Sequence, residues 1–61
     1  MDFANELIHF RAVHDMTQTE LSECIGTSQR MLSMYESGKV KPTKKNLLKY
    51  RQMMKKYEGS K

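Results

Sequence analysis

Cysteine, tryptophan, proline and histidine are scarce or missing in this sequence of 61 residues. The single cysteine, Cys24, cannot form an internal disulfide and has no CxxC partner, which indicates a reducing compartment. The two histidines, His9 and His14, match no zinc-ligand spacing and have no clustered carboxylates beside them. We therefore expect neither a metal nor a cofactor, and we interpret His14 as a residue at the edge of the core.

Long apolar runs are also missing, and the opening residues MDFANE lack the basic region of a secretory signal. We expect a cytoplasmic protein with no membrane span. The sequence contains no Gly-rich phosphate loop, no nucleophile paired with a base and no pair of carboxylates at a cleft-forming spacing. We therefore do not expect an enzyme or a small-molecule ligand. The length predicts one domain over residues 1–61, near the lower limit for a core without cross-links.

The net charge of +4 conceals a strong asymmetry along the chain. Residues 1–38 contain two basic and six acidic residues, a net charge of −4. Residues 39–61 contain nine basic residues and one acidic residue, a net charge of +8. Such a basic segment suits a phosphate backbone or another anionic surface, although a lysine-rich helix exposed to solvent has the same composition.

The segment 17–38 predicts two short helices joined by a tight turn. Thr17 is a candidate N-cap, and Glu20 three residues later completes a capping box. Gly26 can end the first helix in a left-handed conformation, and Ser28 can cap the next helix after a single intervening residue. Gly38 ends the second helix. The short connection predicts a steep crossing of the two helices, which is a helix-turn-helix.

A further helix is predicted on the N-terminal side, from Asp2 as its cap to about His14. Phe3, Leu7 and Phe10 recur on one face of this segment at helical spacing.

A basic C-terminal helix is predicted over about 43–57. Pro42 prevents the preceding helix from continuing, and Thr43 can cap the new one. The apolar face is predicted to contain Leu47, Tyr50 and Met54, widened by Leu48 and Met53. Residues 58–61 are predicted to form a frayed tail. The expected fold class is all-α, with four helices.

The ordered set of residues along this chain closely resembles the phage repressor and Cro family, also called the XRE type. The matching positions are Arg11, Thr17–Gln18, Glu20–Leu21, Ile25–Gly26, Ser28, Leu32–Ser33, Tyr35–Glu36, Gly38–Lys39 and Pro42. The resemblance covers about residues 7–54 and implies a compact four-helix domain containing a helix-turn-helix. Many family domains have a fifth helix, which we expect this chain to lack because it ends soon after the fourth predicted helix. The resemblance also implies a Cro-like repressor that binds a palindromic operator in double-stranded DNA and is nucleoid-associated when bound.

The resemblance places the helix that starts at Ser28 in the major groove. The residues that match base-reading positions are Gln29, Arg30, Ser33 and Met34. The first two side chains offer an amide, which can pair with adenine, and a guanidinium, which can pair with guanine. The hydroxyl of Ser33 can pair with a hydrogen-bond donor or an acceptor, and the thioether of Met34 can contact a thymine methyl. Met34 departs from the polar residue often found there. Without the resemblance, Gln29 and Arg30 would be two ordinary exposed residues in a first helical turn.

The resemblance also implies which residues hold the sugar-phosphate backbone and which form a structural ion pair. The backbone set is Thr17, Gln18, Ser28, Ser37, Lys39, Lys41 and Lys44. In the family, the glutamine matching Gln18 also braces the base-reading glutamine. Arg11 and Glu36 match a structural ion pair between the first helix and the end of the recognition helix.

Two further functions and the oligomeric state stay open at this point. One alternative is a protein-interaction module on the same fold, such as an antirepressor or antitoxin. The other is a basic amphipathic helix over 43–57 that acts at a membrane surface or in a partner groove. We expect a monomer or weak homodimer that pairs on DNA, with Val40, Met53 and Tyr57 as candidates for the contact between copies. The same side chains could instead cover the edge of a thin core.

Overall fold

The computed structural model describes residues 2–59, which form four α-helices and no β-strand. The helices are α1 (Phe3–His14), α2 (Gln18–Ile25), α3 (Gln29–Ser37) and α4 (Lys44–Gly59). The predicted all-α fold with four helices is thus confirmed. Within the described residues, none of the helices combines the length and apolar character that crossing a membrane requires.

Each helix is preceded by a capping residue whose side-chain oxygen accepts a hydrogen bond from a first-turn backbone N–H. These residues are Asp2, Thr17, Ser28 and Thr43. At Thr17 the capping box is complete, because the Glu20 backbone N–H donates to Thr17 Oγ1 at 3.1 Å while the Thr17 N–H donates to Glu20 Oε1 at 2.9 Å. These caps satisfy backbone donors that have no partner inside the helix.

The turn between α2 and α3 depends on Gly26. This residue has φ +83°, a left-handed conformation that side chains with a Cβ rarely adopt. The backbone N–H groups of Gly26 and Thr27 both donate to the Ser22 carbonyl at 2.9 Å, which closes α2. Ser28 then caps α3 directly, so the connection between the two helices consists only of Gly26, Thr27 and Ser28. The predicted helix-turn-helix over 17–38 is present.

The end of α1 contains a left-handed residue that the sequence did not indicate. Asp15 has φ +54°, and its backbone N–H donates to the Arg11 carbonyl. Aspartate tolerates this conformation better than most residues other than glycine.

The core is formed by apolar side chains from all four helices. It consists of Leu7, Phe10, Leu21, Ile25, Leu32, Tyr35, Tyr50 and Met54. Leu7 and Phe10 on the predicted face of α1, and Tyr50 and Met54 on that of α4, are therefore buried as predicted. The His14 ring is half-buried and packs on Phe10, with ring centroids 4.3 Å apart, which agrees with its predicted position at the core edge.

Two predictions about α4 are wrong. Leu48 does not widen the buried face, because its side chain is 55% exposed. It lies two positions before the buried Tyr50, about 200° away around the helix axis. The helix also continues past its predicted end at Tyr57 and includes Glu58 and Gly59, which the sequence assigned to the tail. The other two residues of that predicted tail lie outside the described residues.

Candidate nucleic-acid interface

The first two turns of α3 present one polar face to solvent. Gln29 and Arg30 are exposed, whereas Ser33 and Met34 are half-buried. These four positions are related by i, i+1, i+4 and i+5, which places them on one side of the helix. The opposite side of α3 is buried and holds the helix against the core. The structure therefore brings all four predicted base-reading residues onto one accessible face.

The side chain of Gln29 is held in place by Gln18, the first residue of α2. Gln29 Nε2 donates to Gln18 Oε1 at 2.7 Å. This hydrogen bond links the first residue of α2 to the first residue of α3. A long flexible side chain that is already held loses less conformational entropy when it binds a ligand.

Gln18 is held in turn by Glu36, near the end of α3. Gln18 Nε2 donates to Glu36 Oε1 at 3.1 Å. The resemblance indicated the contact between the two glutamines, but nothing in the sequence indicated this contact with Glu36. The two residues are 18 positions apart and on different helices, so no local pattern could reveal it.

Arg11 and Glu36 form the ion pair that the family resemblance implied. Arg11 Nε donates to Glu36 Oε2 at 2.8 Å, and Arg11 Nη2 donates to Glu36 Oε1 at 2.9 Å. This two-point geometry is the strong form of a guanidinium–carboxylate contact. The Glu36 side chain is only 6% exposed and that of Arg11 is 26% exposed. Arg11 Nη1 also donates to the Met16 carbonyl at 3.4 Å, so the network joins α1, the α1–α2 turn, α2 and α3.

The hydroxyl groups predicted to contact phosphates differ in whether their hydrogen already makes a hydrogen bond inside the protein. Thr17 Oγ1 and Ser28 Oγ each accept a backbone N–H in a helix cap, which leaves the hydroxyl hydrogen able to donate to a phosphate. Ser37 Oγ instead donates to the Met34 carbonyl at 3.0 Å. Its hydroxyl must therefore rotate before it can donate to a phosphate.

The predicted backbone-contacting lysines flank the other end of α3. Lys39, Lys41 and Lys44 are all exposed, in the loop after α3 and at the start of α4. Because α3 contains nine residues, its two ends are about 13 Å apart. The Ser28 hydroxyl before the start of α3 and Lys39 just beyond its end therefore lie at opposite ends of the helix, with the base-reading residues between them along the chain.

One basic residue of the C-terminal segment is paired within the protein. Arg51 Nε donates to Glu6 Oε1 at 3.2 Å, which links α4 to α1. This hydrogen bond raises the pKa of Arg51. No local pattern in the sequence indicates this pair, because the two residues are 45 positions apart. It reduces the positive charge that α4 offers to an anion.

The three residues predicted to make the contact between copies line two different clefts. Met53 and Tyr57 line a shallow apolar groove between α2 and α4, together with Met16 and Cys24. Val40 lines a separate cleft beside the start of α1. Their role in a contact between copies stays a prediction.

Neither the grooves nor the charged groups of residues 2–59 form a metal centre. Among residues 2–59 there is no group of three or more His, Cys, Asp or Glu side chains able to hold a metal ion. The charged side chains described above instead make ion pairs or lie on the surface.

The fold and the exposed face of α3 define a helix-turn-helix domain. The family model described as Helix-turn-helix matches residues 10–57, and the chain belongs to this family, of the XRE type. Members of this family are DNA-binding regulatory domains. Neither the curated proteins nor the solved structures gave a significant match to the chain.

Proposed function

We propose that this protein is a sequence-specific regulator of transcription, a Cro-like repressor that places α3 in the major groove of a palindromic operator. The observation that supports this proposal best is the exposed first turn of α3, where Gln29 is held by Gln18 in a fixed position. An α-helix fits the major groove of B-form DNA, and its first residues are then closest to the base edges.

The four side chains on this face have complementary chemistry for bases. Gln29 can pair with N6 and N7 of adenine, and Arg30 can pair with O6 and N7 of guanine. Ser33 can donate to or accept from a base, and Met34 offers an apolar surface to a thymine methyl. Each good two-point contact discriminates against a wrong base by about 1–3 kcal/mol.

The flanking groups would hold the sugar-phosphate backbone. Gln18 begins α2, where first-turn N–H groups and the helix dipole favour an anion. The lysines Lys39, Lys41 and Lys44 would provide attraction that does not depend on sequence. We propose a cytoplasmic protein that is associated with the nucleoid when it is bound to DNA. Binding of this kind would need no cofactor, small-molecule ligand or catalytic group.

A palindromic operator would be occupied by two copies of the protein. Helix-turn-helix domains bind half-sites about one helical turn apart, so the operator mirrors a two-fold axis of the protein. We expect a monomer or weak homodimer in solution that pairs on DNA. Sedimentation with and without operator DNA tests this expectation, and a tight dimer without DNA would contradict it.

The main alternative is a protein-interaction module on the same fold, such as an antirepressor or antitoxin. Such a protein has no need of a held amide and a guanidinium at the exposed start of α3. Attachment to a membrane through α4 is less compatible with the structure, because Tyr50 and Met54 on its apolar face are buried in the core.

Selection of bound duplexes from a random pool tests the proposed function. We expect a recovered palindrome whose enrichment is lost with Gln29→Ala and with Arg30→Ala. Absence of any enriched sequence would contradict the proposal and favour a protein partner.

Salt dependence tests the proposed backbone contacts. Lys39→Ala should weaken binding equally for all sequences and reduce the slope of log K against log salt by about 1. Lys55→Ala is the matched control, since it removes the same charge from an exposed site near the far end of α4. An equal effect of both substitutions would mean that Lys39 acts only through the net positive charge of the protein and makes no direct phosphate contact.

A further inference from the structure

We infer that Glu36 is a positioning residue that sets which base Gln29 prefers, by fixing the orientation of both glutamine amides. This inference rests on the proposed function and concerns the same face of α3. It follows from the direction of the hydrogen bonds that connect Glu36, Gln18 and Gln29.

The fixed end of this chain of hydrogen bonds is the carboxylate of Glu36. An ionised carboxylate only accepts hydrogen bonds, so the Gln18 atom that faces it has to be the amide nitrogen. That nitrogen lies 3.1 Å from Glu36 Oε1. The amide oxygen of Gln18 must then point the other way, and it accepts from Gln29 Nε2 at 2.7 Å.

The carboxylate itself has no freedom to turn away. Arg11 donates to both of its oxygens, at 2.8 and 2.9 Å. With the Glu36 side chain only 6% exposed, water has little access to compete for these oxygens. A hydrogen bond in such a low-dielectric site is stronger than one in water.

These hydrogen bonds determine which donor and acceptor groups Gln29 presents to a ligand. One N–H of its amide is used by Gln18, which leaves the amide oxygen and the second N–H for a ligand. This acceptor and donor match the N6 donor and N7 acceptor of adenine. They do not match guanine, which presents two acceptors, O6 and N7, at the same edge.

Replacing Glu36 with glutamine removes this constraint while keeping the shape of the side chain. A neutral amide at position 36 can offer its NH2 group to Gln18, whose amide can then reverse. Gln18 would donate to the Gln29 oxygen, and Gln29 would present two N–H groups. Two donors match guanine, so the base preference at this position should relax.

The base position that Gln29 contacts is identified first, as the one where Gln29→Ala loses its base preference. The test then compares the affinities for two operators that differ only there, one with adenine and one with guanine. We expect the wild-type protein to prefer adenine by roughly 5- to 150-fold, the range of one two-point base contact. Glu36→Gln should reduce this ratio by at least about threefold. Arg11→Lys is the matched control, because it weakens the two-point ion pair but leaves an acceptor-only carboxylate facing Gln18. It should leave the ratio unchanged, even where it lowers stability.

Gln18→Met provides a second variant that does not alter the ion pair, in case Glu36→Gln fails to fold. It removes the restraint on Gln29 and should also reduce the adenine-to-guanine ratio. If the wild-type protein enriches an operator but Glu36→Gln and Gln18→Met leave the ratio unchanged, the inference is wrong and the proposed function stands. An equal change of the ratio in Arg11→Lys and Glu36→Gln would assign the effect to stability instead. If the wild-type protein enriches no sequence, the proposed function itself fails, and the inference fails with it.

Discussion

Replacing Glu36 with glutamine removes a negative charge from a side chain that is only 6% exposed. Its partner Arg11 is 26% exposed and keeps its positive charge in the variant. The variant therefore contains a partly buried guanidinium without a counter-charge, at the point where α1 contacts the end of α3. We expect Glu36→Gln to destabilise the fold.

The size of the loss follows from how much water each group can reach. Removing one partner of a fully buried ion pair costs about 3–5 kcal/mol. Arg11 is partly solvated, and the new amide can still accept one of its hydrogen bonds, so we expect about 1–3 kcal/mol for Glu36→Gln. Arg11→Met leaves the less exposed carboxylate unpaired, and we expect it to cost more than Glu36→Gln. At about 4–8 °C for each kcal/mol, Glu36→Gln should lower the Tm by roughly 4–24 °C.

Thermal and urea unfolding followed by far-ultraviolet circular dichroism measure these losses. The double variant with Arg11→Met and Glu36→Gln contains no unpaired charge and should lose less stability than the two single variants together, by about 0.5–3 kcal/mol. An unchanged Tm in Glu36→Gln would refute the reasoning and make the pair a surface contact. Strict additivity in the double variant would show that the two side chains do not act together.

Three further predictions concern the turn, the tyrosine core and the single thiol. Gly26→Ala should cost about 1–2 kcal/mol, because φ +83° is strained for alanine although nothing lies within 4 Å of the added Cβ. Gly59→Ala, which also meets open space, is the control and should cost nothing in the same urea titration. Burial and the hydrogen bond with Tyr50 raise the pKa of Tyr35 to about 12, so the stability it contributes should be lost as pH rises from about 10 through about 12. An absorbance titration with unfolding measured in parallel checks this, and ionisation of all tyrosines near pH 10 without loss of stability would contradict it. Burial also raises the pKa of Cys24, so iodoacetamide should modify the folded protein more slowly than the urea-unfolded chain at neutral pH; equal rates would count against that burial.

The parts of the fold that sequence could predict are those fixed by local chemistry. The starts of α2 and α3 depend on side chains that bond to their own first turn, at Thr17 and Ser28. Their ends depend on glycines in a left-handed conformation, Gly26 and Gly38. These requirements involve residues within a few positions of each other, so the sequence itself contains the information.

The parts that sequence could not predict depend on how the helices meet. Leu48 belongs to an apolar cluster in sequence, but the position of α4 against its neighbours leaves it exposed. Val40 and Tyr57 lie in different clefts, which no spacing along the chain could reveal. Glu58 continues α4 because no capping residue or proline stops the helix before it.

The candidate site likewise has features that sequence could predict and features that it could not. The chemistry of Gln29 and Arg30 and their common face could be inferred from the order of residue types. The direction of the hydrogen bonds could not, because the link from Gln18 to Glu36 requires the start of α2 and the end of α3 to lie side by side. Through this link the buried Glu36 carboxylate is connected to the exposed Gln29 side chain.

The most direct measurement of the central claim removes single acceptors from the major groove. Operators in which one guanine or adenine is replaced by its 7-deaza analogue keep their base pairing but lose N7. We expect affinity to fall at the guanine that Arg30 is proposed to contact, with no further fall in Arg30→Ala, because the contact is then already absent. If every 7-deaza operator binds the wild-type protein as tightly as the unmodified duplex, α3 does not read bases in the major groove.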